Sequence, residues 1–132
     1  MDDIIEISQR ILSELHEAGE DTLTTLANTV NVPTGEEREA QLMRVALTKL
    51  TEGGLVLAAH SKASGVGYEE LSTSDSLGVF ATVETNLRFD QTRSLWTWTS
   101  GNSPHVVATD AGYALSTKTL EERGYQWWLQ SK

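Results

Sequence analysis

Two side chains of the types that read base edges in DNA lie one helical turn apart in this chain. Gln41 and Arg44 suit adenine and guanine respectively, and Thr48 follows on the same face of a predicted helix. Arg38 on that helix is a further candidate for DNA binding, and Lys62 beyond it is a candidate for a phosphate contact. Because any exposed helix face carries residues of these types, a solvated surface is the alternative interpretation.

Four tryptophans are many for a chain of 132 residues, and they form two close pairs. Trp96 and Trp98 lie two residues apart, so on a strand they share one face and can line a pocket, stack on bases or fill the core. Trp127 and Trp128 belong to an aromatic segment that can bury against a second subunit. Both pairs are therefore candidates for interaction or dimer contacts.

Residue patterns typical of enzymes and metal sites are missing from the sequence. The absence of cysteine excludes disulfides, thiolate metal sites and a cysteine nucleophile. His16, His60 and His105 are far apart in the chain, although His60 and His105 can face each other if their strands pair. The glycines of the 65–67 stretch lack the third glycine of a dinucleotide-binding motif. We therefore expect no catalytic residues, no cofactor and no metal.

The charge balance bears on the kind of partner. The chain carries 10 basic and 19 acidic residues, a formal charge of −9, and its length fits one domain. No apolar run approaches the ~18 residues that span a bilayer, and the acidic N-terminus is unlike an export signal. We expect a cytoplasmic protein without membrane contact. Residues 1–53 hold 11 acids and 4 bases, a net charge of −7, which disfavours a general polyanion binder.

Apolar periodicity predicts three helices in the first part of the chain. The first runs from about Asp3 to Ala18, and the second from about Thr22 to Val30 with Asp21 as N-cap. The third opens with a T-x-x-E capping box at residues 34–37 and buries Leu42, Met43, Ala46, Leu47 and Leu50. Residues 55–59 then read as a buried strand.

The second part of the chain shows strand and loop patterns. Residues 61–78 are rich in serine and glycine and are predicted as mostly loop. Residues 79–88 and 94–100 are predicted strands joined through residues 89–93. A further strand is expected at 105–108, followed by a helix over about 111–123 and the aromatic segment. The predicted fold class is therefore α+β.

Two short motifs resemble those of a known family. Residues 47–56 (LTKLTEGGLV) look like the end of a recognition helix leading into a wing strand, and residues 107–112 (VATDAG) are similar to the junction after a wing. Together with the order of elements, they resemble winged helix-turn-helix domains of the MarR and PadR type. The resemblance implies a DNA-binding transcriptional regulator that dimerises through its terminal helices.

Two features depart from that family pattern. About 45 residues separate Ala59 from His105, where a usual wing is a short hairpin, and the third helix begins with Glu36-Glu37-Arg38-Glu39. Carboxylates there would face phosphate unfavourably.

The sequence thus predicts one domain over 1–132, with a three-helix part (1–54), an enlarged antiparallel β-insertion in the wing (55–108) and a C-terminal helix with its aromatic segment (109–132). On the leading hypothesis it is a non-enzymatic, homodimeric regulator that binds double-stranded DNA through Gln41, Arg44 and Thr48. The alternative is an acidic module that binds a protein through the third helix or the tryptophan-bearing insertion.

Overall fold

The computed structural model describes residues 2–62, 67–99 and 101–129, apart from the side chain of Asp2. The first half contains α1 (Asp2–Ala18), β1 (Glu20–Thr22), α2 (Leu23–Val30), α3 (Glu37–Glu52), β2 (Val56–Ser61) and β3 (Tyr68–Glu70). The second half contains α4 (Thr73–Phe80), α5 (Val83–Asn86), β4 (Leu87–Asp90), β5 (Leu95–Trp98), β6 (His105–Ala108), α6 (Asp110–Arg123) and a 3-10 turn (Trp127–Leu129). The α+β class is confirmed.

The N-cap of the second helix differs from the prediction. Thr22, not Asp21, is the N-cap of α2, and its hydroxyl accepts from the Thr25 N–H at 3.2 Å. Asp21 lies in β1, where its carboxylate accepts from the Thr22 N–H. The predicted helix start was wrong because β1, a three-residue polar strand, has no apolar alternation to reveal it.

The predicted capping box at the start of α3 was also wrong. The helix begins at Glu37, so the carboxylate that reaches back is Glu39, which accepts from the N–H groups of Thr34 at 3.1 Å and Gly35 at 3.2 Å. Gly35 has φ +88° and lies so close to Phe89 that an added Cβ would be 2.6 Å from its ring. Only glycine fits this turn without displacing its neighbours.

The main core lies between the first three helices and the inner face of the four-stranded sheet. Its fully buried side chains include Ile11, Leu15, Leu23, Leu26, Met43, Leu47, Val56 and Val106. Most of the third helix's predicted apolar face is buried as expected, but Leu42 is half-buried while Ala40 and Thr51 are buried. The buried side of α3 therefore differs slightly from the predicted one, and Leu42 lies at the surface between α1 and α3.

All pairings in the main sheet are antiparallel, and the strand order is β1-β6-β2-β3. His105 of β6 lies opposite Thr22 of β1 on one side and Ala59 of β2 on the other. The chain thus leaves the sheet after β3 and returns through β6 into the position between β1 and β2. The intervening residues form a separate layer beside α3.

That intervening region is more helical than predicted. Part of the expected 61–78 loop is β3 and α4, and most of the expected 79–88 strand belongs to the end of α4 and to α5. Ser72 caps α4 by accepting from the Asp75 N–H, and Phe80 and Val83 are fully buried as α4 and α5 pack against α3. Serine and glycine lower the helix propensity of α4, so the local sequence does not predict this helix. Burial of its apolar residues stabilises it. Only β4 and β5 form the predicted hairpin; position 100 of the expected second strand lies outside the described residues.

The last helix follows the prediction closely. Thr109 caps α6 by accepting from the Gly112 N–H at 3.1 Å. Gly112 packs so tightly that a Cβ would lie 2.2 Å from the Leu55 carbonyl oxygen. This contact holds the start of α6 against the turn that precedes β2, and α6 then packs along α1.

Candidate interaction surface on helix α3

The outer face of α3 is formed by the residues that point away from its buried side. It comprises Glu37, Arg38, Gln41, Arg44, Val45, Thr48, Lys49 and Glu52. Gln41 is exposed, and Arg44 and Thr48 are half-buried on this face. The structure therefore places the three predicted base-reading side chains together on one surface.

Arg44 is held by a carboxylate from the inserted region. Its Nε donates to Glu84 of α5, and the two side chains are 35% and 44% exposed. Because α5 packs beside α3, this ion pair lies along one edge of the outer face. The positive charge available to an incoming phosphate or base is thereby reduced.

Arg38 is paired in the same way from the opposite direction. Its guanidinium donates to Asp3 of α1, again across exposed surface. Two of the three cations on the outer face are thus bound to carboxylates from other elements. With Glu36 at the helix start, five carboxylates (Asp3, Glu36, Glu37, Glu52, Glu84) stand against three cations (Arg38, Arg44, Lys49), so this surface is net acidic.

An apolar strip runs beside these charges. Ile4 of α1 and Leu42 and Val45 of α3 are half-buried and line a depression of about 380 Å³ with Asp3, Arg38 and Gln41. We call these six residues the α1–α3 groove. It combines partly exposed aliphatic surface with a polar rim, which is the usual composition of a protein-binding surface.

Lys62 lies apart from that groove. It follows β2 directly, is exposed, and donates its backbone N–H to the Gly67 carbonyl at 3.1 Å. The loop between these two residues is outside the described part of the chain. Lys62 therefore lies where β2 leads into the loop to β3. It is not among the residues that line the α1–α3 groove.

Trp96 is a core residue that joins three elements. It is 4% exposed, its indole N–H donates to Glu39 at 3.0 Å, and Phe89 packs edge-on with ring centroids 5.4 Å apart. The Asn28 amide of α2 donates to its carbonyl and accepts from its N–H, at 3.0 and 2.7 Å. The Asn28 side chain thus bonds the backbone N–H and C=O of β5 that a neighbouring strand would otherwise bond. Trp98 on the same strand is half-buried and packs against the edge of the core.

Trp127 and Trp128 contact α1 and α2 of their own chain. The Trp127 indole donates to Glu6 at 2.9 Å and the Trp128 indole to the Thr29 carbonyl at 3.2 Å. Arg123 lies 4.3 Å from the centre of the Trp127 ring, a cation–π arrangement. These half-buried rings already have intramolecular partners, so dimerisation through them stays a prediction.

Glu6 connects this C-terminal segment to α1. Its carboxylate accepts from Arg123 at 2.8 Å, from Trp127 and from Arg10. Burial raises the pKa of Glu6, but hydrogen bonds from Arg123, Trp127 and Arg10 outweigh that effect and hold the pKa below its ordinary value. The ionised form of Glu6 is therefore the one that fastens the segment.

Within the described residues, no cluster of three or more histidine, aspartate or glutamate side chains has the geometry of a metal site, and none of the helices is long and apolar enough to cross a bilayer. Family models, curated proteins and solved structures all gave no match to this chain.

Three residues important to the surface were not identified from the sequence. Asp3, Glu39 and Glu84 each pair with groups from another element or turn, over separations of up to 57 residues. Each looks like an ordinary surface acid in the sequence, because aspartate and glutamate side chains are mostly solvated. Only Glu39 carried a local signal, namely its position near a Thr-Gly turn before a helix.

Proposed function

We propose that this chain is a winged-helix module that binds a protein partner through the α1–α3 groove. The observation that carries the proposal is the pairing of Arg38 and Arg44 with Asp3 and Glu84 beside a half-buried aliphatic strip. A surface whose arginines already have carboxylate partners, and which is net acidic, is poorly suited to the phosphate backbone. It suits a partner that offers apolar side chains flanked by positive charge.

The arrangement of the sheet supports the winged-helix part of this proposal. β6 occupies the place between β1 and β2 that a returning wing strand would take, and α2 and α3 precede β2 in the order of a helix-turn-helix pair. On this view, β3, α4, α5 and the β4–β5 hairpin are an insertion between the two wing strands. α4 and α5 then pack on α3 and supply Glu84 to its outer face.

The proposal is tested with amphipathic helical peptides that share one apolar face and differ only in net charge. We expect cationic peptides to bind most tightly and their affinity to fall with added salt. Val45→Lys places a cation in the groove and should weaken cationic peptides at least about tenfold, or about 1.4 kcal/mol. Val32→Lys is the matched control, since Val32 is 73% exposed and lies outside the groove. Equal binding of cationic and anionic peptides would contradict the proposal, as would an unchanged affinity of Val45→Lys.

DNA binding is the second candidate, and one observation favours it. Gln41, Arg44 and Thr48 share the outer face of α3, the position of a recognition helix in the winged-helix arrangement. The test is titration with random-sequence duplex at two salt concentrations. If DNA is the partner, binding is detectable at low salt, Arg44→Glu weakens it, and Glu84→Gln strengthens it by releasing Arg44. Glu121→Gln on α6 removes the same charge elsewhere and is the control. Absence of binding at low salt would remove this candidate.

A further inference from the structure

Three polar side chains converge on the outer face of the main sheet. Glu20 of β1, His105 of β6 and Ser61 of β2 lie on adjacent strands, and the register places all three on one face. In that register His105 is opposite Thr22 of β1 and Ala59 of β2. Thr22 is two residues from Glu20, and Ala59 is two residues from Ser61. Side chains two residues apart on a strand point to the same face. The arrangement therefore follows from strand pairing rather than from loop conformation.

The order of the contacts is acid, base and hydroxyl. Glu20 Oε2 is 2.6 Å from His105 Nδ1, and His105 Nε2 is 3.4 Å from Ser61 Oγ. An ionised carboxylate can only accept, so Nδ1 carries the proton and donates to Glu20. In the neutral ring, Nε2 then has a free electron pair directed at the Ser61 hydroxyl. This is the tautomer that a general base requires.

One aromatic ring of the same sheet lies beside the histidine. Tyr68 of β3 lies nearly parallel to it, with ring centroids 6.0 Å apart and an angle of 14°. The side chains of His105 and Glu20 are 22% and 30% exposed, while Ser61 is exposed at the end of β2. The base and its carboxylate are thus partly shielded and the hydroxyl is accessible. The 3.4 Å separation is longer than an ordinary hydroxyl hydrogen bond, and contacts of this kind often tighten on substrate binding.

Ser61 and His105 also border a cavity of about 460 Å³. Its walls include the apolar side chains of Val79, Trp98 and Pro104 and the amides of Asn86 and Asn102. Side-chain amides of this kind can donate to an oxyanion. Because the walls offer aliphatic and aromatic surface with neutral polar groups, the cavity suits a small uncharged molecule.

We propose that Ser61, His105 and Glu20 form a nucleophilic site that hydrolyses small, uncharged carboxylic esters. Ser61 Oγ attacks the ester carbonyl carbon while His105 Nε2 takes the hydroxyl proton. The new Ser–acyl bond replaces the ester C–O bond, and His105 returns the proton to the departing alkoxide. Water then attacks the acyl group with His105 again as base, which releases the carboxylic acid and restores Ser61.

The test uses p-nitrophenyl acetate with the full chain. We expect release of p-nitrophenol with transient acetylation of Ser61, located by peptide mass spectrometry. Ser61→Ala removes the acetylated peptide, and His105→Gln lowers the rate by about 10²-fold. Glu20→Gln leaves the base and the nucleophile in place, so it lowers the hydrolysis rate less than either of these two substitutions.

His16→Gln is the matched control for adventitious imidazole hydrolysis. His16 lies on α1 with its Nδ1 2.8 Å from Ser116 Oγ, and it does not border the cavity. It should leave both the rate and the acetylated peptide unchanged. Circular dichroism confirms that each variant is folded. Acetylation at lysine or at His60 instead of Ser61 would overturn the proposal, as would hydrolysis by folded Ser61→Ala at the original rate.

Discussion

The two tryptophan pairs are alike in sequence but are attached to the molecule in different ways. Trp96 lies in the core, at 4% exposure, and is tied by uncharged and charged hydrogen bonds to α2 and to the start of α3. Trp127 and Trp128 remain half-exposed on α1 and α2, held by indole hydrogen bonds and by arginine guanidinium groups over their rings.

The difference separates a part of the fold from a part attached to it. Removing the β4–β5 hairpin would uncover the buried ends of α2 and α3, since Leu87 of β4 and Trp96 of β5 belong to the common core. Releasing the C-terminal segment would expose a surface already rich in polar groups, including Glu6 and Arg10. The hairpin should therefore unfold only with the whole domain, whereas the segment can open separately.

The largest expected effect comes from Trp96→Ala. Truncating a buried tryptophan leaves a cavity and removes the donor to Glu39, so we expect a loss of about 3–5 kcal/mol in the free energy of unfolding. Urea denaturation followed by circular dichroism measures it. Trp98→Ala, on the same strand but half-buried, is the control and should cost clearly less. Equal losses for the two variants would show that the hairpin is not anchored through Trp96.

Glu39→Ala should have the next largest effect. It leaves the Trp96 indole N–H without its partner and frees the N–H groups of Thr34 and Gly35, at a cost of about 1–3 kcal/mol. Glu37→Ala is the matched control, because Glu37 is exposed and is the residue that the sequence pattern assigns to the cap. If Glu37→Ala were the more destabilising, the capping box predicted from sequence would be correct after all.

What the sequence could predict was local. The periodicity of residues 4–18 and 42–50 located α1 and α3, and the helix expected over about 111–123 is α6. These signals arise within one or two helical turns, so they do not depend on distant parts of the chain. The α+β class followed from the same local patterns.

What it could not predict depended on distant partners. β1 exists because Glu20, Asp21 and Thr22 pair with β6, more than 80 residues away. The fourth helix has a weak apolar face and is stabilised by burial of Phe80 against α3. The acids that neutralise Arg38 and Arg44 are likewise remote. The candidate surface and the acids at the start of α3 could be located from the sequence, but the carboxylates that pair with Arg38 and Arg44 could not.

Trp127→Ala tests the separate opening of the C-terminal segment. It removes one hydrogen bond to an ionised carboxylate and one cation–π contact, worth together about 1–2 kcal/mol on a partly exposed surface. We expect faster tryptic cleavage after Arg123, with unfolding of the remaining domain little changed. Leu129→Ala, at a 48% exposed position, is the control and should be cleaved at the original rate. A cooperative loss of stability as large as that of Trp96→Ala would mean that the segment is part of the core.

The smallest expected effect is the pH dependence of the same contact. Because hydrogen bonds hold the pKa of Glu6 below its ordinary value of 4.5, the ionised carboxylate stabilises the attached segment fully above that pH. This contribution is lost as the pH falls through the lowered pKa, since a protonated Glu6 no longer attracts Arg123 and Arg10 as an anion. Tryptic sensitivity cannot be followed in acid, so amide hydrogen exchange of residues 125–129 is measured at neutral and acidic pH and expressed as protection relative to the intrinsic exchange rate at the same pH. Glu6→Gln should show lowered protection at neutral pH and a smaller further loss of protection in acid, because its side chain cannot titrate. If the original chain and Glu6→Gln responded equally to acid, another group would be responsible for the attachment.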